Sequence, residues 1–227
     1  MSEIEKIAAT PTVCFIITEG KAEKIQLFDD HTRKFYKLFP TKDWPTLEIS
    51  GIRMHRVMQV TPQKYTAIKI QLVSPVKGTC LDTCMGLGYT AMGLQYAGAQ
   101  TVTTVEKDQN CITIARHNPW SQELFQSKIR IIGGDIFEKI QTMRTQSFDR
   151  IMHDPPSFTL AGELYSLVFY EQLYRVLKKK GKIFHYTGRP GAVRAKRDLL
   201  GEVVKRLKQA GFYVRREDAA LGVVAWK

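Results

Sequence analysis

Asp82-Thr83-Cys84-Met85-Gly86-Leu87-Gly88-Tyr89-Thr90-Ala91 is the stretch that decides the fold. A short apolar run, 79–82, reads as a buried strand. Gly86 and Gly88 then permit a tight turn and let a ligand approach the backbone. Residues 89–97 read as a helix, closed by Gly98. Gly86-x-Gly88-x-x-Ala91 also matches the dinucleotide-binding fingerprint. A glycine turn alone, however, is a structural helix entry at least as often as a ligand loop.

Working outward, strands and helices alternate. Strand 100–106 precedes a helix over 108–117, strand 129–132 a helix over 137–144, and 148–153 reads as the next strand. Tyr170, Leu173, Tyr174 and Leu177 share one helical face, in a helix that ends before Gly181. Strand 182–187 is followed by a helix carrying Leu200, Val203, Val204 and Leu207, stopped at Gly211. Strands 212–217 and 221–227, joined by a short turn, make an antiparallel pair. Repeated βα units of this kind predict an α/β fold, a doubly wound, mostly parallel sheet with one reversed edge strand. On the N-terminal side, Thr61-Pro62 opens a helix with Tyr65, Ile68 and Leu72 on one face, ended by Ser74-Pro75. Residues 1–60 read as a small β-rich or mixed region. Its strands, 12–18 and 24–28, flank Glu19-Gly20-Lys21, and a hairpin signal over 46–60 surrounds Ser50-Gly51. The expected division is 1–60 and 61–227.

Composition excludes several classes. The 227 residues are 44% hydrophobic and 25% charged, which is ordinary for a globular chain and unlike disordered or fibrous ones. The longest purely apolar stretch, Val13-Cys14-Phe15-Ile16-Ile17, is far short of the roughly 20 residues that cross a bilayer. Met1-Ser2-Glu3-Ile4-Glu5-Lys6 lacks a basic segment followed by an apolar one, so no secretory signal is read. Cys14, Cys80, Cys84 and Cys111 lie in apolar segments without metal-ligand spacing. They read as reduced thiols of a cytoplasmic protein, with no membrane and no metal implied. Thirty-four Lys and Arg against 22 Asp and Glu leave +12. That field attracts polyanions, with RNA or another nucleic acid as the expected partner. Nothing in the sequence fixes an oligomeric state.

In an open α/β sheet, ligands bind beyond the carboxyl ends of the strands. Four successive ends carry suggestive residues. Asp82, at the first, could accept from an ammonium group or a nearby water. Glu106, at the second, could take both hydroxyls of a ribose. Asp135, after Gly133-Gly134, could accept from an adenine amino group. Asp154-Pro155-Pro156-Ser157-Phe158 follows the fourth. Alone, Glu106 reads as a surface acid and Asp135 as a helix N-cap. Four together point to one nucleotide-like cofactor.

The order Asp82–Gly88, Glu106, Asp135 and Asp154-Pro155-Pro156 resembles the class I S-adenosylmethionine-dependent methyltransferases, over roughly residues 76–227. The resemblance implies a Rossmann-like seven-stranded sheet with a reversed last hairpin, and S-adenosyl-L-methionine as cofactor. It places the methionine part around Asp82, Thr83, Cys84, Gly86, Gly88, Tyr89 and Thr90. It places the ribose at Glu106 with Lys107 beside it, and the adenine between Asp135 and Ile136. Cys84 stands where the family usually has the first glycine of the loop. The stretch from Asp154 through Ala161-Gly162-Glu163-Leu164-Tyr165-Ser166, with Phe184-His185-Tyr186 downstream, is similar to an archaeal group of these enzymes linked to N4-methylation of cytidine in small-subunit ribosomal RNA.

Asp154-Pro155-Pro156 has a chemical reading of its own. Two prolines fix the backbone and remove two donors. The Asp154 carboxylate and the Pro155 carbonyl can then accept both hydrogens of an exocyclic amine. That favours a pyramidal nitrogen whose lone pair faces the sulfonium methyl, so the chemistry is chiefly orientation. The arrangement resembles the amino-methyltransferase motif, in which an aromatic residue follows the prolines directly; here Ser157 intervenes and Phe158 is the candidate stacking platform. Without the cofactor motif, Asp-Pro-Pro reads as a rigid loop cap. The target base must be single-stranded or flipped out.

Arg189, Arg194, Lys196 and Arg197 follow the strand ending near Thr187, on the cofactor rim, and are the expected RNA phosphate contacts. Lys178-Lys179-Lys180-Gly181-Lys182 lies before that strand and reads as a solvated turn. Cys80 and Cys84 read as core packing rather than as a nucleophile. His153 reads as a hydrogen-bonded core histidine, and Tyr165 and Tyr170 as packing or as walls of a base pocket. The sequence therefore predicts a methyltransferase acting on an exocyclic amine of RNA, with ribosomal cytidine N4 the leading target. Its rivals are a polyamine aminopropyltransferase on the same fold, a nicotinamide dehydrogenase and a non-catalytic RNA-binding protein.

Overall fold

A computed structural model describes residues 2–126, 128–188 and 198–227. The RNA-contact residues expected at Arg189, Arg194, Lys196 and Arg197 lie outside this set. The chain separates into two compact units: Met1–Thr66 with Gly86–Tyr89 and Asp108–Ser127, and Ala67–Met85 with Thr90–Lys107 and Lys128–Lys227. The first thus runs past residue 60 and takes up two short segments from farther along the chain.

In chain order the elements are α1 (Glu3–Ala8), β1 (Phe15–Thr18), β2 (Lys21–Lys24), β3 (Gln26–Asp29), β4 (Lys34–Phe39), β5 (Thr46–Ile49), β6 (Ile52–Arg53) and α2 (Pro62–Leu72). Next come β7 (Thr79–Asp82), α3 (Tyr89–Tyr96), β8 (Thr101–Glu106), α4 (Gln109–Arg116), α5 (Gln122–Gln126), β9 (Ile129–Gly133), α6 (Ile136–Thr142) and β10 (Phe148–His153). The chain closes with α7 (Leu167–Val176), β11 (Leu177–Tyr186), α8 (Leu199–Gln209), β12 (Tyr213–Glu217) and β13 (Gly222–Trp226). No helix among the described residues is long and apolar enough to cross a membrane.

The first unit holds a β1–β2 hairpin and a four-stranded antiparallel sheet, β3-β4-β5-β6. Glu19 and Gly20 (φ +50° and +78°) and Ser50 and Gly51 (φ +47° and +84°) turn the two hairpins. Two successive residues of positive φ match the right-handed twist of the strands they join. Strand β4 is not legible in the sequence, because Phe35, Tyr36, Leu38 and Phe39 put apolar residues on both faces and erase the two-residue alternation. Tyr36, Leu38 and Leu47 are buried on one face. On that side the Tyr36 hydroxyl donates to Asp108 Oδ2 (2.6 Å), the residue that caps α4.

The second unit is a seven-stranded sheet of order β12-β13-β11-β10-β7-β8-β9. All neighbours are parallel except those of β13, which runs against both β11 and β12. The reversed strand therefore lies one place inside the edge, because a tight turn with Leu221 at φ +51° folds β13 back between β12 and β11. One face of the sheet packs Leu81, Val105, Ile151 and Ile183 with α6, α7 and α8 into a single core. The helix expected to end before Gly181 stops at Val176, and β11 begins there with a bulge against β10. Lys178, assigned to a solvated turn, pairs with Asp149 (2.6 Å).

Helix α2 departs from its expected face. Ile68 is 38% exposed, while Lys69 is 2% exposed beside buried Tyr65 and Ile70. The chain after α2 is fixed to the sheet by buried Arg150, which donates to the carbonyls of Val73, Pro75 and Asp149, each at 2.6 Å. Arg150→Met should strip three carbonyls, one buried and two part-buried, of their donor and cost roughly 3 kcal/mol. A fall in urea midpoint at unchanged slope would report it, and a loss below about 1 kcal/mol would refute the anchoring role.

Candidate active site

The carboxyl ends of β10, β7, β8 and β9 lie side by side in the second unit. The register sets Met152 opposite Asp82, Asp82 opposite Thr104, and Glu106 opposite Gly133. Asp154 and Glu106, two residues beyond Met152 and Thr104, thus stand at one level on either side of β7. Asp135 follows β9. At the usual spacing of strands this row is about 14 Å from end to end, enough for a nucleoside with an extended substituent. The strand order reverses between β7 and β10, where α/β sheets open a crevice.

Asp82 lies beneath this row rather than in it. It is fully buried, and both oxygens accept from threonine hydroxyls, Oδ1 from Thr90 (2.8 Å) and Oδ2 from Thr104 (2.6 Å). The ammonium or water partner expected for Asp82 is replaced by this clamp. Burial, only partly offset by the two hydroxyls, pushes its pKa up to about 7.

Asp154 carries the ion pair that the sequence reading missed. Lys69 Nζ lies 2.5 Å from its Oδ2, with the lysine side chain 2% and the aspartate 22% exposed. A lysine at i+4 from buried Tyr65 was the available signal, masked by the neighbouring Ile68. Pro155 is buried and Pro156 exposed. Tyr165 donates to the Pro156 carbonyl (2.8 Å), so that acceptor is used within the loop. Phe158 is half-buried, with its ring edge-to-face against Tyr165 (centroids 5.6 Å).

Asp135 combines two roles. Its Oδ1 accepts from the Phe137 amide (2.9 Å) as the cap of α6, and its Oδ2 meets Lys107 (2.7 Å). Burial alone would raise its pKa, but the Lys107 hydrogen bond and the amide prevail and hold it below the usual value. An adenine amino group there would have to share these oxygens. Glu106 is half-buried at the tip of β8, and a Cβ built on Gly133 opposite it meets nothing within 4 Å.

Several sequence-assigned residues prove structural. Thr83 is buried, with its hydroxyl 2.8 Å from His153 Nδ1, while His153 Nε2 lies 3.1 Å from the Leu164 carbonyl. The carbonyl calls for a hydrogen on Nε2, and burial lowers the ring's pKa to about 4, which favours the neutral form. His153 is a core histidine and no base. Tyr170 lies 2.9 Å from His185 Nε2 and packs in the core, as Ile136 does. Cys84 packs against that core, and burial raises its thiol well above the ordinary range. Cys80 is pushed up to about 12 by burial, so neither thiol is a nucleophile.

Gly86–Tyr89 belongs to the first unit. Gly86 (φ +52°) has open space where a Cβ would stand, whereas a Cβ on Gly88 (φ +76°) would fall 2.4 Å from Leu124. Tyr89 is buried. Its hydroxyl donates to the Pro45 carbonyl (2.8 Å) and accepts from Asn118 (2.9 Å), so it is a packing residue with no hydroxyl hydrogen to offer a ligand.

Residues 107–220 match a family described as S-adenosyl-L-methionine-dependent methyltransferase. An uncharacterized protein of Methanocaldococcus jannaschii is 45% identical over 226 residues, 99% of this chain and 77% of that one. A polyamine aminopropyltransferase of Streptomyces coelicolor is 28% identical over 102 residues, 42% of this chain and 18% of that one. Among solved structures, spermidine synthase from Thermotoga maritima is similar with a TM-score of 0.65 at 15% identity, over 93% of this chain and 77% of that one. At that identity the likeness concerns the fold.

Two outcomes follow from the geometry. Gly86→Ala should cost about 1 kcal/mol of stability from backbone strain. Gly88→Ala should cost roughly 2–4 kcal/mol, because the buried Leu124 must also move; equal losses in denaturant titrations would contradict the assignment. Asp82, with its folded pKa above the unfolded value, destabilises progressively as pH rises from about 4 to about 7. Buried His153 acts oppositely in that window, so the wild type must be compared with Asp82→Asn. The variant should gain a few kcal/mol relative to wild type between pH 4 and pH 8. Parallel stability curves would refute the clamp's charge state.

Proposed function

Since the chain belongs to the S-adenosyl-L-methionine-dependent methyltransferases, we propose that its acceptor is an exocyclic amine of a nucleobase in RNA, with cytidine N4 of ribosomal RNA the leading target. The observation that carries this reading is the Lys69–Asp154 pair at the tip of β10, followed at once by two prolines.

The donor residues fit the cofactor. S-adenosylmethionine is cationic at sulfur and at its amino group and carries two ribose hydroxyls, all of which suit the carboxylates of Glu106, Asp135 and Asp154. Open space beside the backbone at Gly133 leaves room for a planar base. When bound, the cofactor supplies an electrophilic methyl on a sulfonium.

The chain's own part is orientation. Lys69 holds Asp154 Oδ2 and so fixes the carboxylate plane. Oδ1 is the oxygen that accepts one amine hydrogen. The Pro155 carbonyl, on a backbone without an amide hydrogen at 155 or 156, accepts the other. The amine lone pair is then turned away from both acceptors and toward the methyl. Phe158 stacks on the base with the ring face that Tyr165 leaves. Transfer would exchange the sulfonium's S–CH3 bond for an N–C bond and leave a neutral thioether, and the surplus amine proton would pass to Asp154 Oδ1 or to water. His153 takes no part.

The polyamine aminopropyltransferase and spermidine synthase likenesses favour a second reading, aminopropyl transfer to a diamine. There an amine attacks a carbon on the same kind of sulfonium, so the strand-end acids would serve equally. The +12 charge opposes it, because it repels polycationic acceptors.

Labelled S-adenosylmethionine with total RNA, followed by nucleoside mass spectrometry, decides between them. Methyl label in an N-methylated nucleoside supports the first reading, and turnover only with an aminopropyl donor and a diamine supports the second. Asp154→Ala should lower kcat by about 100-fold or more while leaving RNA affinity within a few-fold, since phosphate contacts supply that affinity. Equal loss of both would remove the orienting role.

A further inference from the structure

The antiparallel sheet of the first unit carries exposed aromatic residues on the face opposite its buried one. Directly opposed residues share a face, so the register places Phe28 beside Phe35, and Lys37 beside Glu48, which in turn faces Arg53. Alternation along β4 adds Phe39 to the same side. Tyr36, Leu38 and Leu47 point the other way and are buried. Phe28 and Phe35 are 48% and 37% exposed, an unusual amount of aromatic surface to leave to water.

Cations accompany the rings. The Arg53 guanidinium lies 3.9 Å from the Phe39 centroid, and Lys37 Nζ 5.4 Å from the same ring. The Arg33 guanidinium lies 5.3 Å from the Phe28 centroid. Glu48 faces two cations, Lys37 (3.0 Å) and Arg53 (3.3 Å), so one positive charge of that trio is uncompensated. Arg33 meets Asp30 only in an exposed pair at 3.6 Å, which binds weakly.

We infer that this face, Phe28, Phe35 and Phe39 with Arg33 and Arg53, is a docking platform for single-stranded RNA. Aromatic faces accept bases of any identity by stacking, and guanidinium planes stack on bases while meeting phosphates. A purely apolar partner would leave the arginines desolvated without counter-charge, whereas a phosphodiester backbone supplies that charge. The inference draws on the proposed acceptor only for the choice of polymer. None of its residues is assigned to the proposed acceptor site, and sequence-tolerant stacking is its expected character.

The test uses the full chain and a fluorescein-labelled mixed-sequence RNA of 15 nucleotides. The Phe28→Ala/Phe35→Ala double variant should bind it about tenfold or more weakly, the equivalent of losing one stacked base. Phe35→Trp, which keeps a stacking surface, should bind as wild type does. Arg53→Gln should weaken binding and flatten its salt dependence. Unchanged affinity in the double variant, with an unaltered circular dichroism spectrum, overturns the platform. If that variant fails to fold, ultraviolet cross-linking of wild type to the same RNA replaces it: adducts within residues 24–39 support the inference, and adducts only elsewhere overturn it. A wild-type dimer that the Phe variants dissociate without loss of RNA affinity would make the face a homotypic interface and also overturn it. Labelled methyl transfer, run in parallel, separates the two readings: methylation of RNA with unchanged binding in the Phe variants sinks the platform alone, and weakened binding with no methylation of any RNA sinks the proposed activity alone.

Discussion

A buried carboxylate answered by two hydroxyls organises the centre of the second unit. Asp82 joins three elements: its own strand β7, the neighbouring β8 through Thr104, and the first turn of α3 through Thr90. Full burial of an unanswered acid would be prohibitive, and two neutral donors lower that cost without removing it, which is why its pKa stays raised. The clamp fixes the tips of β7 and β8 with respect to each other. Strand register then places Glu106 and Asp154 two residues beyond that level, and Asp135 follows the end of β9.

The Lys69–Asp154 pair is a different use of buried charge. Replacing such a pair by apolar residues is often neutral or stabilising. In the proposed function its part is orientation. A carboxylate held by one oxygen presents the other in a defined direction, and a rigid Pro-Pro segment follows it. Helix α2 gives up part of its apolar face for this, and Arg150 holds the chain after α2 on the sheet so that the lysine arrives where it is needed.

The first unit divides its aromatic residues between two purposes. Tyr36, Tyr89 and Trp44 pack inward, and Tyr89 lies 4.8 Å from the Trp44 ring centroid. Phe28, Phe35 and Phe39 share the other face, Phe28 and Phe39 of them under cations. Because β4 serves both faces, it lacks the alternation that marks a half-buried strand. The same property hid the strand in the sequence and makes its outer side a surface with chemistry of its own.

Much of the architecture was legible because it rests on local signals. Gly98, Gly211 and the glycine turn at 86–88 punctuate the chain, short apolar runs mark the parallel strands, and Ser50-Gly51 marks a hairpin. The acids after each strand were legible because a parallel sheet sends every strand end to one rim. Their individual duties were not. Asp82 and Asp154 look alike in sequence, but one is sealed under threonines and the other is held half-open by a lysine 85 residues away. Thr83, Tyr89 and Ile136 read as ligand contacts because they adjoin the motif, yet their side chains point into packing. By itself the sequence determined the alternation of elements and the row of strand-end acids, since these follow from periodicity and turn chemistry within a few residues, and its motifs carried the likeness to the family. The tertiary structure alone decided which acid is buried, which lysine orients Asp154 and which aromatics face water, because burial and charge pairing depend on atoms that only folding brings together.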